Sequence, residues 1–313
     1  MEPFSFLKPG CRAEFKDRYT VKAAETVIPY EKGRKGSTAL IGLPYSKSSI
    51  SYSEAAEAPQ TIRTCLNAYT TFSSERNKDY RNQTILDFGD VRVHPTDVTE
   101  SLDRMHISVK EMILTGSCDR FLILGGDHGV SYPSIRAFKE CFGTAGVIQF
   151  DAHHDVRNFE DGGKTNGTPF RSLLEEGIIH GHHLVQIGIR DFSNAEVYSN
   201  YLKGKNTAVY TMANIETAGI VPILLSELNR LAEETDFIYV SLDMDAVDQA
   251  FAPGCPAIGP GGLTDRELMA AVSAVSACEK VIALDIVEID PSKDFRDMTS
   301  RLAAHAAMRF IYR

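Results

Sequence analysis

The sequence lacks the patterns that mark three large classes of protein. None of its six cysteines belongs to a Cys-x-x-Cys pair, which argues against a zinc ribbon and against a disulfide framework. Basic residues number 33 against 42 acidic ones, so no basic surface for nucleic acid is expected. No apolar run has membrane-spanning length. Small molecules are therefore the expected partners, rather than nucleic acid or a membrane.

The start of the chain also lacks the charged segment and long apolar stretch of a secretory signal peptide, so we expect a cytoplasmic protein. A length of 313 residues and a hydrophobic content of 43% suit one large α/β domain. We predict a single catalytic domain over residues 1–313, with an N-terminal extension of about residues 1–35.

Eight apolar runs recur at the intervals of a βαβ chain. Most are continuously hydrophobic, as expected of strands that helices cover on both faces. The sequence therefore predicts a three-layer α/β/α sandwich with a mostly parallel, about eight-stranded sheet. The predicted strands are residues 39–43, 84–88, 121–124, 147–150, 184–189, 208–211, 237–242 and 281–289.

Three helices carry recognisable end signals. Thr264 and Glu267 have the spacing of a capping box, which predicts a helix that continues to about Ala277. Thr168, followed by proline, has the pattern of an N-cap. Residues 297–312 are predicted to form the closing helix.

Acidic and histidine side chains follow three of the predicted strands. After two of these strands, they occur at every second residue, and in an extended chain such positions share one face. Because the carboxyl ends of parallel strands meet at one edge of a sheet, the groups should converge there. The set contains four carboxylates and two imidazoles: His128, Asp151, His153, Asp155, Asp243 and Asp245.

Six such ligands suit two divalent ions better than one. Hard carboxylates mixed with imidazoles favour Mn²⁺ over a structural Zn²⁺ site. Two neighbouring divalent ions can activate water for attack on an electrophilic carbon, which indicates a hydrolase. The alternative interpretation is that these residues cap loops or bind one structural cation.

Six segments resemble the motifs of the ureohydrolase family, which includes arginase, agmatinase and formimidoylglutamase. The resemblance runs from about residue 38 to the end. It implies the arginase fold, two Mn²⁺ ions per subunit, and a homo-oligomer, commonly a trimer or hexamer. Three of the segments match the metal-binding motifs and three match other family motifs: residues 125–128, 151–155 and 241–248, and residues 58–63, 87–90 and 285–291.

The resemblance also implies a role for each site residue. Asp155 would assist proton transfer to the leaving nitrogen, and Glu288 would hold the planar C–N group of the substrate. Glu288 could instead be an ordinary buried carboxylate. The resemblance further implies that His128 and Asp155 bind one ion. His153 and Asp245 would bind the other ion, and Asp151 and Asp243 would bridge the two.

The sequence of the loop at residues 158–167 indicates which substrate of the family the protein uses. Arginases and agmatinases usually carry a histidine before glycine here, whereas this chain has Asn166, and residues 166–170 and 294–301 resemble formimidoylglutamases. Arg157 suits a substrate carboxylate, which Arg binds in a bidentate manner. We therefore predict hydrolysis of N-formimidoyl-L-glutamate to L-glutamate and formamide in histidine degradation, with Arg157, Asn166 and Glu288 contacting the substrate.

Two other functions stay open. The chain could be an agmatinase or guanidino-acid hydrolase that releases urea, or a family member without catalysis that serves as a binding subunit. Among other residues, His154 is interpreted as a hydrogen-bonded support, and Arg171 and Arg190 as structural ion-pair partners. Lys164 is a further carboxylate-binding possibility. The histidines at 180, 182 and 183 are interpreted as a surface turn without a metal.

Overall fold

The computed structural model describes residues 17–313. Nine strands form one sheet in the order β1-β5-β2-β6-β11-β10-β7-β8-β9, and every neighbouring pair in it is parallel. Two short strands, β3 and β4, form an antiparallel pair. The strands are β1 (Val27–Pro29), β2 (Thr38–Gly42), β3 (Phe72–Ser73), β4 (Lys78–Asp79), β5 (Ile85–Asp90), β6 (Phe121–Leu124), β7 (Ala145–Phe150), β8 (Leu184–Ile189), β9 (Ala208–Thr211), β10 (Phe237–Asp243) and β11 (Val281–Val287).

Helices cover both faces of the sheet and bury two apolar cores. One core packs α1, α7, α8 and α9 against one face, and the other packs α2 to α5 against the opposite face. No helix within residues 17–313 is long and apolar enough to cross a membrane. The helices are α1 (Ala58–Cys65), α2 (Val98–Leu114), α3 (Ser131–Phe142), α4 (Pro169–Glu175), α5 (Glu196–Gly204), α6 (Met212–Ala218), α7 (Ile220–Glu234), α8 (Asp265–Ala277) and α9 (Met298–Ile311).

The three-layer architecture and the parallel sheet confirm the predicted fold class. Each of the eight predicted runs overlaps one strand of the sheet, and the runs at 121–124, 184–189 and 208–211 match their strands residue for residue. The ninth strand, β1, was missed. It has only three residues, is partly exposed at the sheet edge and ends in proline, so it has no apolar run to mark it. The predicted N-terminal extension lies partly outside the described residues.

The capping box at the start of α8 allows a direct test of local stability. Thr264 Oγ1 accepts a hydrogen bond from the Glu267 backbone N–H, and the Glu267 carboxylate accepts one from the Thr264 backbone N–H. We expect Thr264→Ala to lower the free energy of unfolding by about 1 kcal/mol, because a helix N-terminal donor loses its partner. Urea denaturation measures the change. Ser273→Ala, in the same helix but away from its cap, should cost about 0.5 kcal/mol or less.

Candidate metal centre and active site

The acidic and histidine residues lie together at the carboxyl edge of four neighbouring strands, β6, β11, β10 and β7. His128 follows β6, Glu288 follows β11, Asp243 ends β10 and Asp151 follows β7. Parallel strands all present their carboxyl ends at the same edge, and loops can form a crevice there. The fold therefore concentrates the polar side chains of four distant segments in one place.

The local structure of residues 151–155 differs from the predicted extended chain. Strand β7 ends at Phe150, and the five residues after it form a bent loop. Asp155 has a φ of 50°, in the left-handed region, which is uncommon for a residue other than glycine. Strain of this kind concentrates at functional sites. The side chains of Asp151, His153 and Asp155 still converge, but through this loop geometry rather than through strand alternation.

The first group of potential ligands surrounds the Nδ1 atom of His128. Carboxylate oxygens of Asp151, Asp155 and Asp243 lie 3.1, 2.9 and 3.0 Å from that nitrogen. His128 and Asp151 are fully buried, and the side chains of Asp155 and Asp243 are 12% and 3% exposed. Three carboxylates and one imidazole thus share a site nearly closed to solvent.

The second group lies next to the first and shares Asp151 with it. His153 Nδ1 is 3.0 Å from Asp245 Oδ2 and 3.4 Å from Asp151 Oδ1. Asp151 presents its Oδ2 atom to His128 and its Oδ1 atom to His153, so one carboxylate faces both groups. Asp243 belongs to the first group of ligand atoms but not to the second. Its bridging of both ions stays a prediction.

The spacing of the donor atoms fits a six-coordinate divalent cation. Adjacent ligands of such an ion, with bonds of about 2.1 Å, lie about 3 Å apart. The separations around His128 Nδ1 have this value, yet this buried nitrogen has no hydrogen-bond partner in the described chain. A buried polar atom without a partner is costly, and a cation would use its lone pair. The carboxylate-rich donor set fits an oxygen-preferring ion such as Mn²⁺.

A buried hydrogen-bond chain orients the His128 ring. Its Nε2 atom lies 2.9 Å from Ser241 Oγ, and this hydroxyl donates to Asp285 Oδ1 at 2.7 Å. Ser131 and Tyr239 donate to the other oxygen of Asp285 at 2.7 and 2.8 Å. Because the Ser241 hydrogen is directed at Asp285, Nε2 of His128 must be the donor. These hydrogen bonds leave Nδ1 as the His128 atom that faces the three carboxylates.

Two buried glutamines position Asp151 through consecutive hydrogen bonds. Gln149 donates to Asp151 Oδ2 at 2.6 Å, and Gln186 donates to Gln149 Oε1 at 2.6 Å. His154 lies at the end of this hydrogen-bond chain away from Asp151. Its Nδ1 atom is 2.7 Å from Gln186 Oε1, and its Nε2 atom is 2.9 Å from Ser199 Oγ. The interpretation of His154 as a buried hydrogen-bonded support agrees with this arrangement.

Glu288 is held beside the ligand groups by two donors. Its Oε1 atom accepts hydrogen bonds from the His128 backbone N–H at 2.8 Å and from Asn166 Nδ2 at 2.9 Å. Its φ of 60° is also in the left-handed region. Asn166 Oδ1 accepts from the Ile50 backbone N–H at 3.0 Å, so its amide links Glu288 to the loop that contains Ile50.

The concentration of carboxylates changes several pKa values. Burial raises the pKa of Asp127 to about 7, and burial together with the Asp151 charge raises that of Asp155 to about 6. Burial and the Asp127 charge raise the pKa of Glu288 to about 8. Burial alone would lower the pKa of His153, but neighbouring carboxylates outweigh it and raise the value to about 12. Protons that balance this negative charge are displaced when such a site binds a cation.

An open cleft of about 360 Å³ leads to the ligand groups and to Glu288. Arg157 lines it, and its guanidinium forms no ion pair with any residue of the 17–313 range. The side chain passes closely over Gly167, where an added Cβ would lie 2.7 Å from Arg157 Cδ. Among residues 17–313 no carboxylate pairs with Arg157, which is placed where a ligand enters.

The other basic residues considered from the sequence already have partners. Lys164 pairs with Glu176 at 2.7 Å, and Arg171 pairs with Glu175 at 3.5 Å. Arg190 is buried and donates to the backbone carbonyl oxygen of Asp245 at 2.6 Å. It supports the loop after β10 through a carbonyl contact, so its predicted ion pair is replaced by a hydrogen bond.

Sequence reasoning missed three groups that support the centre. Asp127 is fully buried and accepts hydrogen bonds from the hydroxyls of Ser48 and Ser49 at 3.4 and 3.1 Å. The Ser241–Asp285 pair and the two glutamines were also overlooked. A signal was present for Asp285, because a carboxylate inside an apolar strand is expected to need buried partners.

Comparisons with known proteins agree with this architecture. The family model described as "Arginase family" matches residues 37–312. A formimidoylglutamase from Halalkalibacterium halodurans is 47% identical over 311 residues, which cover 99% of this chain and 97% of the relative. A second, from Bacillus subtilis, is 45% identical over 308 residues and covers 98% of this chain and 96% of the relative.

A solved structure extends the agreement to three dimensions. The crystal structure of formimidoylglutamase from Bacillus subtilis superposes with a TM-score of 0.94 at 45% identity, covering 98% of this chain and 95% of that one. The resemblance predicted from six short motifs is therefore confirmed over nearly the full length. The chain belongs to the arginase family of hydrolases.

Proposed function

We propose that the protein hydrolyses N-formimidoyl-L-glutamate to L-glutamate and formamide, with two Mn²⁺ ions, as a step of histidine degradation. The observation that carries this proposal is Arg157, which lines the cleft beside the ligand groups and has no ion-pair partner among the described residues. Both substrate carboxylates are anionic, and a guanidinium binds a carboxylate through two charge-assisted hydrogen bonds. Agmatine, in contrast, would bring a second cation towards Arg157. The relatives with 47% and 45% identity are named formimidoylglutamases, which supports the same substrate.

The residues that would hold the two ions are the six ligands of the two groups. When bound, the ions would supply Lewis-acid activation of a water molecule and charge stabilisation at the reacting carbon. The Ser241–Asp285 pair keeps His128 Nδ1 available, and Gln149 keeps Asp151 directed at both groups. The preference for Mn²⁺ rests on the four carboxylates among the six donors.

The chain's own groups would bind the substrate and move its protons. Glu288 lies in the cleft wall and would accept hydrogen bonds from the formimino nitrogen, while Arg157 would bind a carboxylate. Asp155 would then deliver a proton to the glutamate nitrogen as the bond from that nitrogen to the formimino carbon breaks. Counted for neutral groups, water contributes its oxygen and one hydrogen to formamide, and its other hydrogen reaches the glutamate nitrogen through Asp155, so the atoms balance.

We expect Asn166→Ala to lower kcat about tenfold, because Glu288 Oε1 loses one of its two donors and the carboxylate turns more freely. Metal content should stay unchanged, since Asn166 belongs to neither ligand group. Steady-state kinetics and metal analysis together separate these effects. Asn158→Ala is the control, because Asn158 lies in the same loop but bonds to Tyr198 and Asp161. An unchanged kcat in Asn166→Ala would mean that this contact does not position Glu288.

A side-by-side product analysis tests the proposed function. The Mn²⁺-loaded protein is incubated with N-formimidoyl-L-glutamate, agmatine, arginine and guanidinobutyrate, and the products are identified by NMR. Formamide and glutamate from the first substrate alone support the proposal. Urea from any of the others would favour an agmatinase or guanidino-acid hydrolase, and bound metal without any product would favour a binding subunit. The predicted cytoplasmic location, single catalytic domain and homo-oligomeric assembly belong to the same proposal.

A further inference from the structure

Three histidines and a glutamate meet far from the catalytic cleft. His182 and His183 lie in the 3₁₀ turn Gly181–His183 before β8, and Glu234 is the last residue of α7. The rings of His182 and His183 are 4.0 Å apart between centroids, and the His180 ring lies 5.6 and 5.8 Å from them. Ligating atoms of His182, His183 and Glu234 all lie within 4.8 Å of one another. The sequence places the three histidines together, and they were interpreted as a surface turn without a metal, but it gives no sign of Glu234, which comes from a distant segment.

The cluster lies at the edge of the sheet opposite the catalytic centre. The turn precedes the first residue of β8, and Glu234 precedes the first residue of β10, whereas the candidate catalytic side chains follow the strand ends. Strands of six or seven residues span about 20 Å. A ligand bound at the histidines therefore cannot be part of the catalytic site.

His183 is placed as a metal ligand requires. The side chain of His183 is 8% exposed, and its Nε2 atom lies 3.8 Å from Glu234 Oε2. Adjacent ligands of a tetrahedral Zn²⁺ ion, with bonds of about 2.0 Å, lie about 3.3 Å apart, so a small shift of either side chain would bring His183 Nε2 and Glu234 Oε2 to that spacing.

Glu234 can turn to a cation without leaving a charge unpaired. Arg230 Nη1 contacts Glu234 at 2.9 Å, but the same guanidinium also holds Glu227 through Nε at 2.8 Å and Nη2 at 2.7 Å. Nη1 further donates to the His182 carbonyl oxygen at 2.8 Å. If Glu234 moved to a metal, Arg230 would keep Glu227 as its ion-pair partner, with both Nε and Nη2 on Glu227 Oε2.

We propose that His182, His183 and Glu234 bind one divalent transition-metal ion of the Zn²⁺ type, with His180 as a fourth donor. Two or three imidazoles and one carboxylate suit tetrahedral Zn²⁺, whereas the carboxylate-rich catalytic centre suits Mn²⁺. The two sites therefore differ in metal preference as well as in position. The ion connects the turn before β8 to the end of α7. Because these two segments come together only in the folded state, binding of the ion stabilises the folded state over the unfolded one.

The test uses the whole protein with its catalytic centre loaded with Mn²⁺. The sample is dialysed against buffered Zn²⁺, and both metals are then measured by mass spectrometry. We expect Zn²⁺ uptake to exceed Mn²⁺ loss by one equivalent per chain, and Tm to rise with Zn²⁺. The double variant with His182→Asn and Glu234→Gln should bind this extra Zn²⁺ at least tenfold more weakly, while its Mn²⁺ content stays unchanged.

Glu233→Gln is the matched control, because this neighbouring residue is exposed and lies outside the cluster. It should keep the extra Zn²⁺ equivalent. His180→Asn alone should weaken binding less than the double variant, since it removes only the fourth donor. The proposal would be overturned if the parent took up only as much Zn²⁺ as the Mn²⁺ it lost. It would also be overturned if the double variant bound the same excess of Zn²⁺ as the parent.

Discussion

Asp151→Asn is expected to lower turnover of the proposed substrate by at least about 1,000-fold and to prevent binding of a full pair of Mn²⁺ ions. Of the residues that the structure describes, only Asp151 belongs to both ligand groups, with Oδ2 towards His128 and Oδ1 towards His153. The substitution keeps the shape of the side chain but removes its charge and half of its acceptor oxygens. Both cation positions therefore lose a ligand at once.

Metal analysis and single-turnover kinetics measure the two effects of Asp151→Asn separately. Circular dichroism checks that the fold is retained, which matters because Asp151 is fully buried. Asp103→Asn, on the exposed face of α2, is the matched control and should keep both metal and activity. If Asp151→Asn bound two ions and turned over normally, the shared-carboxylate arrangement would be wrong.

Arg157→Gln is expected to lower kcat/KM for N-formimidoyl-L-glutamate about 100-fold without changing the metal content. The side chain lines the cleft and belongs to neither ligand group, so its loss removes a carboxylate partner but no metal ligand. Most of the change should appear in KM, because a carboxylate distant from the reacting carbon is bound in both the ground state and the transition state.

Gly167→Ala should also lower kcat/KM, though by less than Arg157→Gln, while the positive charge of Arg157 is kept. A Cβ at this position would lie 2.7 Å from Arg157 Cδ, so the arginine must move away from its place in the cleft. Arg171→Gln is the control for removing a nearby positive charge, because Arg171 already pairs with Glu175 and stacks 3.8 Å over Tyr201. An unchanged KM in Arg157→Gln would assign carboxylate recognition to another part of the cleft.

The fold was predictable to the extent that hydrophobic runs determine it. A parallel sheet covered on both faces needs continuous apolar strands, and the eight predicted runs, most of them continuously apolar, each overlap one strand of the sheet. The edge strand β1 could not be found in this way, because its pairing with β5 depends on backbone hydrogen bonds rather than on a buried apolar sequence. The Thr264–Glu267 capping box was predictable because its signal is local.

The ligand set was easier to predict from the sequence than its geometry. Strand alternation led to the grouping of Asp151, His153 and Asp155, although a loop with a left-handed residue actually brings them together. The contact from Asn166 to Glu288 spans 122 positions, and no pattern within either segment indicates it. Arg157 was selected for its chemistry, but only the fold places it in the cleft, where no carboxylate within the part of the chain that the structure describes pairs with it.

The most direct test is anomalous X-ray diffraction at the manganese absorption edge, from crystals of the Mn²⁺-loaded protein with L-glutamate bound. We predict two anomalous peaks, each about 2.1 Å from an oxygen of Asp151, one beside His128 and the other beside His153. A glutamate carboxylate should lie against Arg157. A single peak, or two peaks of which neither is bonded to Asp151, would contradict the proposed binuclear centre.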